Sequence, residues 1–293
     1  MAGIIVSVII PTYNDWERLP LCIQALTNQA FPKAQFEVLI VNNNPEDIVP
    51  GNLVLPENFR LLRETKPGSY AARNTALKQA QGEIIAFTDS DCIPEPDWIK
   101  NAVDYFNNNK HCSRIAGHIS IFFKGTKPTT AELYNSVFAF PQKSHATYAG
   151  TSVTGNMFTY KKVFDAVGLF NESLLSLGDL EWGKRAHAAG FSIHYVANVE
   201  VQHPARTLSE LVKKEKRVGG GQGAMEKKHA LGNFLNYVAD NRPRLYIIRH
   251  IYRYSKGLGL IAKIKILLLR HYLLNIRAAE KLRVQMGKQP SRA

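Results

Sequence analysis

Asp89 and Asp91 flank Ser90 just past an apolar run, residues 84–87, in the stretch Glu83-Ile-Ile-Ala-Phe-Thr-Asp-Ser-Asp-Cys-Ile-Pro94. The run predicts a buried strand, and open α/β sheets gather their ligands at the carboxyl ends of such strands. Two carboxylates there suit a hard divalent cation, Mn²⁺ or Mg²⁺, whose coordination is completed by diphosphate oxygens. The same Asp-x-Asp spacing also fits a helix N-cap or a solvated turn, so its meaning depends on the elements around it.

Those elements alternate. Residues 4–10 form an apolar run ending at Pro11-Thr12-Tyr13-Asn14, a helical pattern continues through Leu19, Cys22 and Leu26, and residues 36–41 form a second run ending at Asn42-Asn43-Asn44. A third strand is predicted at 59–62 and an Ala-rich helix at 71–80, ahead of the Asp-x-Asp strand. Alternation of this kind predicts a parallel sheet with helices on both faces. Neither GxGxxG nor GxxxxGK[ST] occurs, which excludes the common dinucleotide and P-loop fingerprints.

The chain has 293 residues, 45% of them hydrophobic, enough for a large core. Cys22, Cys92 and Cys112 lack CxxC or zinc-ligand spacing, so a reducing, cytoplasmic setting is expected. The first apolar run stops at Pro11, too short for a signal peptide or a spanning helix. A net charge of +13 points to an anionic partner.

Five motifs, Ser7-Val-Ile-Ile-Pro-Thr-Tyr-Asn14, Gly68-x-x-Ala-Ala-Arg73-Asn74, Gly82-Glu-Ile-Ile-Ala-Phe-Thr-Asp89-Ser-Asp91, Gly155-Asn156-Met157 and Gly178-Asp179-Leu180-Glu181, occur in this order. In that order the chain resembles the inverting family 2 glycosyltransferases over about residues 5–205. The resemblance implies the α/β GT-A fold for nucleotide-diphospho-sugar transfer, a mixed, mostly parallel sheet between helices. The expected organisation is a GT-A domain at 1–205, split into a nucleotide-binding half at 1–93 and an acceptor half at 94–205. A basic, mostly helical extension with a Gly-rich loop is expected at 206–293.

The resemblance also implies roles. Pro11, Thr12 and Tyr13 line the base and ribose, and Asn42 stands where the family usually carries an acid, leaving the choice of base open because an amide both donates and accepts. Lys66 and Arg73 belong to the donor nucleotide site, Asp89 contacts ribose or metal, and Asp91 ligates the metal with His203 as a further ligand. Asp179 is the expected catalytic base, removing the acceptor hydroxyl's proton on the face opposite the leaving nucleotide. Gly178 replaces the motif's usual first acid, and Glu181, in the place of its later Asp, is the fallback base. Gly155 and Asn156 fit a strand near the anomeric carbon. Trp182 suits either stacking on an acceptor sugar or core packing.

Beyond residue 205 the composition turns basic. Residues 206–228 are Lys-rich and contain Val218-Gly-Gly-Gly-Gln-Gly223, which reads as a mobile lid over the diphosphate or as a linker. Residues 241–279 contain no Asp or Glu, while Arg242, Arg244, Arg249, Arg253, Lys256, Lys263, Lys265, Arg270 and Arg277 are basic. Lys256, Lys263, Arg270 and Arg277 recur every seven residues, opposite Ile261, Ile264, Leu268, Tyr272 and Ile276. That pattern predicts a helix with its basic face on an anionic membrane, or one packing its apolar side on the catalytic domain.

The expected function is metal-dependent, inverting transfer of a sugar from a nucleotide-diphosphate donor to a glycan or lipid-linked acceptor, in surface polysaccharide or exopolysaccharide synthesis. The enzyme would be cytoplasmic or peripheral on the membrane's cytoplasmic face. Two other classes are a catalytically silent binding module, motivated by Asn42 and Gly178, and a nucleic-acid binder suggested by charge alone. No nucleic-acid motif supports the last, so no nucleic-acid partner is expected.

Overall fold

The computed structural model describes residues 3–44, 46–51, 53–225 and 245–290. Lys228, Arg242 and Arg244 lie outside these residues. The elements in chain order are β1 (Val6–Thr12), α1 (Leu19–Thr27), β2 (Phe36–Asn42), β3 (Phe59–Arg63), α2 (Ser69–Leu77), β4 (Ile84–Thr88), β5 (Ile93–Pro94) and α3 (Trp98–Asn108). They continue as β6 (Arg114–Phe122), α4 (Thr130–Phe138), α5 (Gln142–Ser144), β7 (Asn156–Tyr160), α6 (Lys161–Val167), α7 (Gly178–Ala188) and β8 (Ile193–Pro204). The described chain ends in α8 (Leu208–Met225), α9 (Leu245–Tyr254) and α10 (Leu260–Gln285).

One sheet runs β3-β2-β1-β4-β7-β6-β8-β5. Its first four strands are parallel, as the alternating pattern predicts, and β7 then pairs antiparallel with both β4 and β6. Thr12 stands opposite Asn42 and Ile9 opposite Phe87, so the loops after β1, β2 and β4 open on the same edge. Strands β1, β2 and β4 are rich in Val and Ile because both of their faces are covered. Val8, Ile10, Val38 and Ile40 pack with Leu26, Trp98 and Phe106. Phe87 turns to the other face and meets Phe164 and Phe170, edge on, beside Trp182.

The chain divides into two compact units. The first holds residues up to Ser120, Phe140–Ser173 and Gly178–His203; the second holds Ile121–Ala139, Leu174–Leu177 and the chain from Pro204 onward. Within the second unit, Ala131, Tyr134 and Val137 of α4 pack with Leu211 of α8, Ile247 and Ile251 of α9, and Ile266 and Leu273 of α10.

Two expectations for this C-terminal region are corrected. The glycine run is neither loop nor lid: Gly219, Gly220, Gly221 and Gly223 lie buried inside α8. A Cβ on Gly219 would stand 2.3 Å from the Arg277 carbonyl oxygen of α10, and one on Gly223 2.7 Å from that of Lys281. The glycines lower intrinsic helix propensity, and close backbone approach between α8 and α10 offsets that cost. The seven-residue basic stripe, moreover, is not a solvated face. Lys256 sits in the turn before α10, Lys263 lies over the Tyr252 ring at 4.4 Å, Arg270 lies over the Phe138 ring at 4.1 Å, and Arg277 pairs with buried Glu215. Phe138 and the buried carboxylate of Glu215 draw Arg270 and Arg277 inward, Lys256 stays exposed, and Ile261, Ile264, Leu268 and Tyr272 are left exposed. Only Ile276 of the expected apolar face packs against the unit's core.

Gly219→Val should therefore destabilise the chain by about 1–3 kcal/mol through overpacking of the α8–α10 contact. Urea unfolding followed by circular dichroism measures this, and an unchanged midpoint would show that the two backbones need not approach so closely.

Candidate active site

The shared edge of β1, β2 and β4 carries the first group of polar residues. Pro11 and Thr12 end β1, with Thr12 buried and its Oγ1 lacking a protein partner, and the Tyr13 ring stands exposed beside them. Asn42 ends β2 buried, its Oδ1 accepting from the Asn44 amide at 2.9 Å, so it is both turn former and edge residue. Its neighbour Asn43, unnoticed in the sequence, ties down the loop that leads to α2. Its side chain donates to the carbonyls of Glu64 and Lys66 at 3.1 and 2.8 Å and accepts from the Gly68 amide at 2.8 Å.

Gly68 can start α2 where it does because its φ of 120° is open only to glycine. Tyr70, Arg73 and Asn74 then share one helical face. The buried Arg73 guanidinium pairs with Asp89 Oδ1 at 2.6 Å, and its Nε has no protein partner. Asn74 brackets Phe170, donating to its carbonyl and accepting from its amide, and donates to Glu172 at 2.9 Å. Lys66, expected at the donor, pairs with Glu172 at 2.6 Å.

Asp91 points away from Arg73. Its Oδ2 lies 3.4 Å from Nε2 of buried His203 and 3.6 Å from Nη1 of Arg18. Arg18 also donates to Asp15 at 2.5 Å, and the Ser90 hydroxyl donates to the other Asp15 oxygen at 2.6 Å. Asp15 and Arg18 are thus additional members of the cluster; their spacing after β1 was the available signal. Burial, followed by the charges of Asp91, Asp89 and Asp15, pushes the Cys22 thiol far up. Among the described residues no group of three His, Cys, Asp or Glu side chains forms a metal site. Asp91 and His203 are a two-donor set, with Asp89 engaged by Arg73; such a set fits a divalent ion completed by diphosphate oxygens, not a closed protein cage.

Asp179 lies buried in the first turn of α7. Its Oδ1 accepts from the Tyr70 hydroxyl at 3.0 Å and the Leu180 amide at 2.9 Å, and its Oδ2 accepts from the Thr154 amide at 3.3 Å. Burial and the neighbouring Asp179 charge both push the Tyr70 phenol up, so it stays a proton donor across the working pH range. Tyr70 also accounts for Gly178. A Cβ at that position would stand 2.8 Å from two carbons of the Tyr70 ring, so the ring occupies the space of the family's usual first acid.

Three expected site residues serve the scaffold. Glu181 grips Arg185 through both oxygens, at 2.7 and 3.1 Å, and Arg185 donates to the carbonyls of Val167 and Leu169. Trp182 is 0% exposed, stacks on Phe164 and donates to the Gly168 carbonyl at 3.0 Å, so it cannot stack on a sugar. Asn156 is also fully buried, accepting from the Trp98 indole and donating to the carbonyls of His118 and Val199. Gly155 does border the site: a Cβ there would lie 3.3 Å from Asp89 Oδ2.

The profile of "Glycosyl transferase family 2" matches residues 7–168. The chain belongs to that family. It is 36% identical over 225 residues to the glycosyltransferase AglE of Haloferax volcanii, an alignment covering 74% of this chain and 72% of that protein. A second relative, 23% identical over 238 residues, is a Methanococcus voltae enzyme named a dolichyl N-acetyl-alpha-D-glucosaminyl phosphate 3-beta-D-2,3-diacetamido-2,3-dideoxy-beta-D-glucuronosyltransferase; the match covers 76% of this chain and 74% of the enzyme. Among solved structures, the mannosyltransferase PcManGT of Pyrobaculum calidifontis, in complex with GDP-Man and Mn²⁺, superimposes with a TM-score of 0.55 at 17% identity, covering 99% of this chain and 78% of that one. Staphylococcus aureus TarS gives 0.54 at 18% identity, covering 97% and 55%. These likenesses identify the sheet and its helices as the GT-A fold of a glycosyltransferase.

Glu172 supplies a pH test of the loop joining Lys66 and Asn74. The Lys66 hydrogen bond, followed by that of Asn74, holds its carboxyl below its ordinary value of 4.5. A lowered folded-state value contributes stability that is complete above about pH 4.5 and is lost as pH falls through the folded value. Glu172→Gln should therefore flatten the acid limb of a thermal-stability profile below that pH and leave its slope near neutrality unchanged.

Proposed function

We propose that this chain moves a sugar, with inversion, from a nucleotide-diphosphate sugar to a hydroxyl of a glycan or lipid-linked acceptor. The observation that carries this reading is the buried carboxylate of Asp179, held by Tyr70 and the Thr154 and Leu180 amides within the same unit as the Asp89–Asp91 edge. One general base is what inversion needs. Asp179 takes the acceptor hydroxyl's proton while that oxygen bonds to the anomeric carbon and the carbon–oxygen bond to the diphosphate breaks. Tyr70 orients the carboxylate and keeps its own proton.

On the donor side, Thr12 Oγ1 and Arg73 Nε are buried polar atoms without protein partners, which the ribose and phosphate oxygens of a nucleotide would satisfy. Tyr13 offers an exposed ring to the base. Asp91 and His203 would hold a divalent ion, Mn²⁺ or Mg²⁺, which neutralises the departing diphosphate. Gly155 leaves room beside Asp89 for the donor sugar. A lipid-linked acceptor is favoured by the Methanococcus voltae relative, whose name places its acceptor sugar on dolichyl phosphate. Synthesis of a surface glycan is the process this reading assigns.

A thermal-shift panel of UDP, GDP, CDP and dTDP with Mn²⁺ or Mg²⁺ tests the donor class, since a ligand of the native state raises the melting temperature by mass action. One base should stand out, and only with metal. Asp91→Ala should abolish the metal-dependent part of that shift; an undiminished shift would remove Asp91 from the metal site.

Asp179→Asn should keep the nucleotide shift and lose transfer by about 10²–10⁴-fold, because the amide keeps the shape but cannot take a proton. Transfer from radiolabelled donor measures this, and near wild-type turnover would put the base elsewhere.

A further inference from the structure

The second unit presents a surface that sugar transfer does not use. Along α10, Leu260, Ile261, Ile264, Leu268 and Tyr272 recur at helical spacing and all face solvent, Ile261 at 72% exposure and Leu268 at 64%. The row extends roughly 18 Å at 1.5 Å per residue. Tyr246, Ile248 and Tyr252 of α9 are exposed as well, and Lys263 of α10 lies over the Tyr252 ring, which links the two helices. Large apolar side chains exposed in a continuous row, not scattered singly, mark a covered surface.

The charges beside the row say what covers it. Arg249, Arg253, Lys256 and Lys265 are exposed, and residues 241–279 contain no acid. A second copy of this chain would bring like charges face to face across a two-fold contact. An anionic bilayer answers both features: acyl chains take the apolar row, lipid phosphates take the cations, and the four exposed tyrosines, Tyr246, Tyr252, Tyr254 and Tyr272, suit the headgroup layer. Lys263, Lys265 and Arg270 interrupt α10, and among the described residues no helix is long and apolar enough to cross a membrane.

We propose that the exposed face of α9 and α10 seats this chain on the surface of an anionic bilayer, with the apolar row of α10 entering the interface and its flanking cations meeting lipid headgroups. The membrane contact is thus made by the apolar row, while Arg270 and Arg277 stay engaged with Phe138 and Glu215. This surface lies wholly within the second unit, and its contact with a bilayer does not depend on sugar transfer.

Co-sedimentation of the full chain with phosphatidylcholine vesicles, with and without phosphatidylserine, tests it. The wild type should sediment with anionic and not with neutral vesicles at low salt, and added salt should weaken binding. Ile264→Glu combined with Leu268→Glu should reduce binding at least tenfold while the nucleotide-induced thermal shift persists, which separates this outcome from failure of the donor reading. Should that variant melt well below the wild type, Arg253→Glu combined with Lys265→Glu decides, with reduced binding at low salt expected. The proposal is overturned if the wild type ignores anionic vesicles, or if the folded variants bind as the wild type does. A vesicle-indifferent dimer in sedimentation velocity, broken by the Ile264/Leu268 variant, would assign the row to a second copy and overturn it equally.

Discussion

Burying the fixed charge of Arg73 on α2 is the constraint from which the rest of the site follows. A guanidinium out of water needs a counter-charge, and Asp89 at the end of β4 supplies it at 2.6 Å, which fixes α2 against the sheet edge. The same helical face then carries Tyr70 to Asp179 and Asn74 to Phe170. Ala71, Ala72 and Ala76, all buried, let the helix approach closely enough for those reaches to be met. One short helix thereby sets the position of the Asp-x-Asp edge, of Asp179 and of the loop that carries Glu172.

Much of this was legible in the sequence because it is periodic or local. The Val- and Ile-rich strands, the Ala-rich helix and the Asp-x-Asp edge all announce themselves within a few residues; their alternation implies a parallel α/β sheet, and the resemblance of the five motifs to family 2 glycosyltransferases implies the GT-A fold. Tyr70 and Asn43 did not, since each matters through a partner distant in sequence: Tyr70 meets Asp179 from over a hundred residues away. A tyrosine in an alanine-rich helix has no local signature of that pairing. Asn156 and Trp182 lie in motifs read as a site while their side chains satisfy buried bonds in the scaffold; for Trp182 the core-packing alternative is the one that holds.

The region after residue 205 was misread where composition stood in for packing. Four glycines within five residues suggest flexibility only if no partner is present, and α10 is that partner. Likewise a seven-residue repeat of cations identifies one helix face but not which way it turns. For Arg270 and Arg277 the expectation that charge seeks water lost to Phe138 and Glu215, which offer a π-face and a buried carboxylate.

Gly178 shows how a departure from a motif can be compensated rather than disabling. An acid there would need space that the Tyr70 ring fills, and would set a second negative charge beside Asp179 in a buried setting. The phenol instead gives Asp179 a neutral donor that burial keeps protonated. Leu177, just before α7, takes the left-handed φ of 66° that non-glycine residues rarely adopt, and Gly178 follows without a Cβ to crowd the ring. Loss of the first acid and the presence of the tyrosine are therefore one arrangement: the Asp179 carboxylate, oriented by a hydroxyl and two backbone amides.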